Sequence, residues 1–194
     1  SLFSLIEQWY PIDTAIKEEI MTKSQVRKVK KGDYLFQEGQ NANCLYFVVS
    51  GALRVFVLND DFKEYTIRFG FENKMVGDPK SFLYQSKTQL NLQAFENSIL
   101  LEVDSESLLA LFKSSHNLSV FYKDFLEFEL TKAQDRIINH LVKDAESRYD
   151  DFIEEYGNQN NRLSNRHIAS YIGVTPEFFS KLKNTKLKKL LDLP

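Results

Sequence analysis

After Asp104 the apolar repeat of this chain changes period, from two residues to about 3.6. One regular element cannot carry both repeats, so a strand-built part must precede a helix-built part. Upstream, Cys44-Leu45-Tyr46-Phe47-Val48-Val49 is a short aromatic and β-branched run closed by Ser50-Gly51. Leu53, Val55 and Val57 then alternate with Arg54 and Phe56, and Asn59-Asp60-Asp61 gives a turn. Tyr65–Phe69, Leu90–Ala94 and Ser98–Val103 follow as further strand-like runs. Short strands separated by Gly and Asn/Asp turns predict a sandwich or barrel. Gly32, Gly39, Gly51, Gly70 and Gly77 fall here, where tight turns call for positive φ. Ahead of this region, residues 1–21 predict a helix with Leu2, Ile6, Trp9, Ile16 and Ile20 apolar, interrupted at Pro11.

Downstream, Ser105-Glu106-Ser107 before Leu108–Phe112 reads as a helix start, and a long helix is expected from about Asn117 to Lys143. It carries two apolar stripes. One is Leu118, Phe121, Phe125 and Phe128; the other is Tyr122, Leu126, Leu130, Ala133, Ile137 and Leu141. Two stripes on one helix must both be covered. Near-heptad spacing of the second predicts pairing with another copy, the other solution being a helix buried within a monomer. A further helix is expected over about Ala145–Tyr156, ended by the loop Gly157-Asn158-Gln159-Asn160-Asn161.

Charge is divided along the chain. Residues 158–194 hold Arg162, Arg166, Lys181, Lys183, Lys186, Lys188 and Lys189 against Glu177 and Asp192, for +5, whereas the rest carries −7. A basic segment on an acidic body fits contact with nucleic acid or another acidic surface, although a solubilising tail gives the same sum. One cysteine, Cys44, excludes a disulfide framework, a thiolate zinc site and a four-cysteine iron–sulfur cluster. His116, His140 and His167 have no metal-site spacing, so no metal or cofactor is expected. The sequence holds no apolar run near the roughly 18–20 residues of a membrane span, and the start SLFSLIEQWYPID does not read as a signal peptide. The expected setting is a reducing cytoplasm. Enzymatic activity is not expected, since no nucleophile–base pairing, Gly-rich phosphate loop or metal spacing is present.

The strongest local signal lies in residues 162–183. Ser164 can cap a short helix with Ile168, Ala169 and Ile172 on its inner face, and Gly173 allows a sharp turn. Thr175 then caps a second helix that has Pro176 at its first position and Glu177 in its first turn, with Phe179 and Leu182 inward. That order of caps, small residue, turn and basic tail predicts a helix-turn-helix over an ordinary helical hairpin.

Val29-Lys-Lys-Gly-Asp-Tyr-Leu-Phe-Gln-Glu-Gly-Gln40, followed by Leu45-Tyr-Phe-Val-Val-Ser-Gly-Ala-Leu-Arg-Val55, resembles the cyclic-nucleotide-binding β-roll. Together with Ala145-Glu-Ser-Arg-Tyr149 and His167-Ile-Ala-Ser-Tyr-Ile-Gly-Val-Thr-Pro-Glu177, the chain resembles the Crp/Fnr transcription regulators, particularly a Bacteroidetes-type branch. The resemblance implies an α+β chain in three parts. These are a double-stranded β-helix (jelly-roll) sensor over 1–116, a dimerisation helix over 117–143 and an all-α helix-turn-helix domain over 144–194. Homodimeric binding to a palindromic double-stranded DNA site is implied, with a small-molecule effector and RNA polymerase as further candidate partners and no membrane partner.

The same resemblance locates two sites. A ligand pocket is implied around Gly77, Asp78, Pro79, Lys80, Ser81 and Thr88, with Ala133 and Gln134 on the long helix where adenine is contacted in nucleotide-binding members. Asp78 replaces a glutamate and Thr88 stands in place of the phosphate-holding arginine; a neutral hydroxyl cannot replace a bidentate guanidinium. Cyclic AMP is therefore not expected to bind in the usual way. On the DNA side, Pro176, Glu177 and Lys181 map onto base-reading positions, with Ser164, Arg166, Thr175 and Ser180 as phosphate contacts and Lys183 and Lys186 adding charge. Lys181 in place of an arginine implies weaker discrimination of guanine. Phe178 occupies a position where small polar residues are common. The second helix is expected to end near Lys186, leaving no room for the β-hairpin wing of many relatives. A small-molecule-binding or protein-interaction module with a decayed DNA-binding domain is the alternative reading.

Overall fold

The computed structural model of the chain describes residues 1–191. They form two compact units: Ser1–Val57 with Ile67–Phe128, and Leu58–Thr66 with the chain from Glu129 onward.

The first unit contains helices α1 (Leu2–Glu7) and α2 (Thr14–Lys23), and strands β1 (Gln25–Val29), β2 (Tyr34–Phe36), β3 (Cys44–Ser50) and β4 (Leu53–Leu58, whose last residue lies in the second unit). Strand β5 (Glu64–Gly70) begins in the second unit and ends in the first. After it come β6 (Met75–Val76), α3 (Pro79–Tyr84), β7 (Asn91–Ala94), β8 (Ser98–Asp104), α4 (Ser105–Ser114) and the long α5 (His116–Val142). The strands make two four-stranded sheets, ordered β1-β8-β3-β6 and β2-β7-β4-β5. Both sheets are open, which makes a β-roll rather than a closed barrel. Alternate residues of the strands meet in one core: Tyr46, Val48 and Leu100 from one sheet, Leu53, Val55, Leu92 and Ala94 from the other. Removing each such side chain from water contributes about 1.5–3 kcal/mol for the larger aliphatics.

The other face of the first sheet is covered by helices. Phe47, Met75 and Val103 pack against Leu2, Ile6, Ile20, Leu108, Leu111, Leu118, Phe121 and Tyr122. This second core contains a cavity of about 50 Å³ whose lining is almost wholly apolar. The expected helix over 1–21 is two helices, with Pro11 in the break between them. Asp13 caps the second by accepting from the Ile16 N–H. Gly32, Gly39 and Gly51 have positive φ, but Gly70 and Gly77 do not. At Gly70 the constraint is space instead, since a Cβ would meet a Val76 methyl at 2.3 Å. Strand β1 and helix α3 were not legible as elements. Strand β1 is an edge strand whose polar residues conceal its alternation, and the cap and first-turn pair Asp78-Pro79 of α3 lies inside the stretch that resembles a ligand motif.

Along α5, burial divides lengthwise rather than around the helix. Leu118, Phe121 and Tyr122 are buried and Phe125 and Leu126 half-buried, whereas Leu130 (59% exposed), Ile137 (60%) and Leu141 (79%) face solvent, as do Ala133 and Phe128. This corrects the expected pairing stripe at its first member. Tyr122 belongs to the chain's own core, tilted against Phe112 at 4.7 Å and Phe82 at 6.4 Å, because the first turns of the helix pack Leu118, Phe121 and Tyr122 into the core beneath the sheet. Ile138 and Val142, outside both predicted stripes, are also exposed.

The second unit holds the later part of α5, then α6 (Ala145–Tyr156), a 3-10 turn over Gly157–Arg162, α7 (Asn165–Ile172) and α8 (Pro176–Leu191). Phe152, Phe179, Ile168 and Ile172 are its most buried side chains. Tyr149 meets Phe179 edge-on at 5.1 Å, and Phe152 meets Tyr171 at 5.5 Å.

Candidate nucleic-acid interface and sensor pocket

Both helices α7 and α8 start on side-chain caps. The Ser164 hydroxyl accepts from the His167 N–H at 3.2 Å, and the Thr175 hydroxyl accepts from the Phe178 N–H at 3.2 Å. Between them Gly173 takes φ +75°, and the Val174 N–H returns to the Ala169 carbonyl at 3.0 Å, the closing bond of a Schellman turn. A Cβ at Gly173 would stand 3.2 Å from the imidazole of His140. Burial together with the nearby Arg136 and Arg148 guanidinium groups lowers the pKa of that imidazole, favouring its neutral form beside the turn. Ala169 is fully buried, and with no bulk beyond Cβ it lets the helices close on each other.

Phe179 points wholly inward, which turns the neighbouring positions of α8 outward. Thr175, Pro176, Glu177, Lys181 and Lys183 are all exposed along one stretch. Ser180 is half-buried, and its hydroxyl donates to the Pro176 carbonyl at 2.9 Å. Arg166, on α7, is exposed and stands 3.6 Å from the Glu64 carboxylate. Lys186 is paired with Asp150 and lies over the Tyr149 ring at 5.6 Å, so it adds less free charge than the sequence suggested. Helix α8 does not stop near Lys186 but runs to Leu191, since no Gly or Pro interrupts residues 186–191. Phe178 is about half exposed next to these polar groups.

In the first unit, Gly77, Asp78, Ser81 and Thr88 come together and are buried. The chain itself satisfies their polar groups. The Thr88 hydroxyl donates to Asp78 at 2.6 Å, and the other Asp78 oxygen accepts the Lys80 N–H at 3.0 Å as the cap of α3. The Ser81 hydroxyl donates to the Ser86 carbonyl and accepts the Ala42 N–H at 3.1 Å. The Arg68 guanidinium donates to the Gly77 carbonyl at 3.0 Å, and a Cβ at Gly77 would approach the Cys44 carbonyl to 3.1 Å. Pro79 and Lys80 are exposed, while Ala133 and Gln134 are exposed on α5 in the second unit. An incoming phosphate would have to break the Thr88–Asp78 bond and face the Asp78 carboxylate. A calorimetric titration with cyclic AMP is accordingly expected to show no submicromolar binding; a submicromolar Kd would overturn that expectation.

Cys44 is half-buried, and burial pushes its thiol pKa up to about 12. It therefore carries no thiolate at neutral pH. Among the described residues no cluster of three or more His, Cys, Asp or Glu side chains could hold a metal ion, and no helix is long and apolar enough to cross a membrane.

Residues 26–115 match the family model of the cyclic nucleotide-binding domain. The chain is 28% identical over 125 residues to the anaerobic regulatory protein of Bacillus subtilis, covering 64% of this chain and 51% of that one. It is 26% identical over 167 residues to the transcriptional activator protein Anr of Pseudomonas protegens, covering 80% and 68%. By these matches the chain is similar to the Crp/Fnr regulators. It spans about half the length of the first of these relatives and about two thirds of the second. Among solved structures, the fold is shared with the c-di-GMP-responsive regulator CLP of Xanthomonas campestris (TM-score 0.74, 20% identity, 92% of each chain). FixK2 of Bradyrhizobium japonicum matches with TM-score 0.74 and 20% identity, over 86% of this chain and 85% of that one.

Proposed function

We propose that this chain is a transcription regulator of the Crp/Fnr type that binds DNA as a homodimer, with residues 1–116 as sensor, 117–143 as dimerisation helix and 144–194 as DNA-binding domain. Helices α7 and α8 act as a helix-turn-helix whose second helix enters the major groove. One observation carries this reading: α8 is capped, anchored inward by Phe179, and presents Thr175, Pro176, Glu177, Lys181 and Lys183 together to solvent. In it, Glu177 accepts from a cytosine amino group, Lys181 donates to guanine, and Ser164, Arg166, Thr175, Ser180 and Lys183 lie along phosphates. The exposed Leu130, Ala133, Ile137 and Leu141, with Leu126 at their margin, provide the surface for the second copy. Half-sites then lie about one helical turn apart, 10–10.5 base pairs.

The test is duplex binding titrated with salt, on random-sequence and genomic DNA. The expected result is binding at about 50 mM salt that weakens linearly in log–log form as salt rises. Absence of binding even there favours the module with a decayed DNA-binding domain, a reading supported by the half-exposed Phe178 among the polar groups of α8.

A further inference from the structure

The second unit is not built from the C-terminal chain alone, because the tip of the β4–β5 hairpin, Leu58–Thr66, belongs to it. Strand β5 ends its sheet, so one backbone edge at Glu64 and Thr66 has no neighbouring strand. Side chains from helices take that place. The single hydroxyl of Ser170 on α7 donates to the Glu64 carbonyl at 2.9 Å and accepts from the Thr66 N–H at 2.8 Å and the Thr66 hydroxyl at 3.1 Å. Its one proton and both lone pairs are used. Arg136 donates to the Thr66 carbonyl at 2.6 Å and to the Tyr171 carbonyl at 3.1 Å. The tip beyond this clasp is also ordered by its own bonds: the Asn59 carboxamide oxygen accepts the Asp61 and Lys63 N–H groups, and Asn59 N–H donates to the Lys63 carbonyl.

Held this way, the hairpin sets the Glu64 carboxylate 3.6 Å from Arg166. Their exposures differ in a useful way: the Glu64 side chain is 23% exposed and that of Arg166 is 71% exposed. The carboxylate is largely covered, while the guanidinium remains accessible to another anion. We propose that the hairpin is an intramolecular competitor for the duplex, with Glu64 occupying Arg166 in place of a DNA phosphate in a clasp closed by Ser170 and Arg136. This inference rests on the DNA-binding reading above. In it, contact with DNA requires Arg166 to exchange one anion for another. Losing the Glu64 contact offsets part of what the phosphate contact gains at this residue.

The experiment is Glu64→Gln in the full chain. Ser170 holds the backbone carbonyl of this residue, not its carboxylate, so the clasp and the fold survive the change, which an unchanged melting temperature verifies. Binding to a random-sequence duplex is measured from about 50 to 200 mM salt. The expected result is about two- to fivefold tighter binding at low salt, a gain that shrinks as salt screens the ion pair. Asp61→Asn removes the same charge from the same hairpin without removing the Glu64–Arg166 pair, and is expected to give a clearly smaller gain. In an Arg166→Gln background Glu64→Gln is expected to have no effect. No gain from Glu64→Gln, or the same gain in the Arg166→Gln background, overturns the competitor role while leaving DNA binding intact. If neither the parent chain nor Glu64→Gln binds duplex at low salt, the DNA-binding reading itself falls and takes this inference with it.

Discussion

Phe179→Ala is expected to lower the stability of the helical unit by about 3–5 kcal/mol. The ring is fully buried and meets Tyr149 edge-on at 5.1 Å, while Tyr149 stacks on Phe152 and Phe152 meets Tyr171 edge-on. Truncation leaves a void bounded by aromatic rings that cannot collapse into it without losing their own contacts. Phe179 is also what orients α8, so the exposed polar row should lose its register before the β-roll is affected. Hydrogen exchange separates the two: amides of α7 and α8 are expected to lose protection while those of β3 and β8 keep theirs. Loss of protection below about 1 kcal/mol would mean that Phe179 does not anchor the helix.

Arg136→Ala is expected to destabilise the same unit by about 2–4 kcal/mol, through a different cause. Its guanidinium serves the carbonyls of Thr66 and Tyr171 and lies 4.1 Å from the Tyr171 ring centroid. Thr66 is 1% exposed, so water cannot readily replace the lost donor. Burial holds the Arg136 pKa below that of a free guanidinium, but arginine stays charged in proteins, so the contact is insensitive to pH over the neutral range. Arg136→Met keeps the apolar stem and removes only the donors. If hydrogen bonding carries the effect, Met should be nearly as damaging as Ala in chemical denaturation; if stem packing carries it, Met should restore most of the loss.

Much of the chain could be read in advance where local rules act alone. Caps and turns are of this kind: Ser164, Gly173, Thr175 and Pro176 sit where short-range hydrogen bonding and positive φ require them, and all four are found in those roles. Strands β3, β4, β5, β7 and β8 were legible as short apolar, β-branched and aromatic runs between turn residues, although β4 and β7 are buried on both faces. Lengthwise burial of α5 was not legible. Leu126 and Leu130 lie on the same stripe, yet the first packs against the core and the second does not. Periodicity reports the face of a helix but not where along its axis the neighbouring sheet ends.

The same holds around Asp78. Thr88 stands out in sequence for lacking a charge, and a single sequence cannot show that its hydroxyl is spent on Asp78, ten residues away. Nor could Ser170 be singled out. It is an ordinary serine in a helix, and its role exists only because the edge of a strand more than a hundred residues earlier reaches it.

By itself the order of residues determined the strand-then-helix division, the capped pair of helices near the C-terminus and the basic charge gathered around them. These depend on backbone geometry, on contacts within a few positions and on a simple sum of charges. Only the tertiary structure decided which apolar side chains of the long helix stay exposed, that the side chains of Asp78, Ser81 and Thr88 find their partners within the chain, and that a distant hairpin meets Arg166. Each of those outcomes depends on which groups approach through space, and a buried donor or acceptor takes whatever partner the fold brings within about 3 Å.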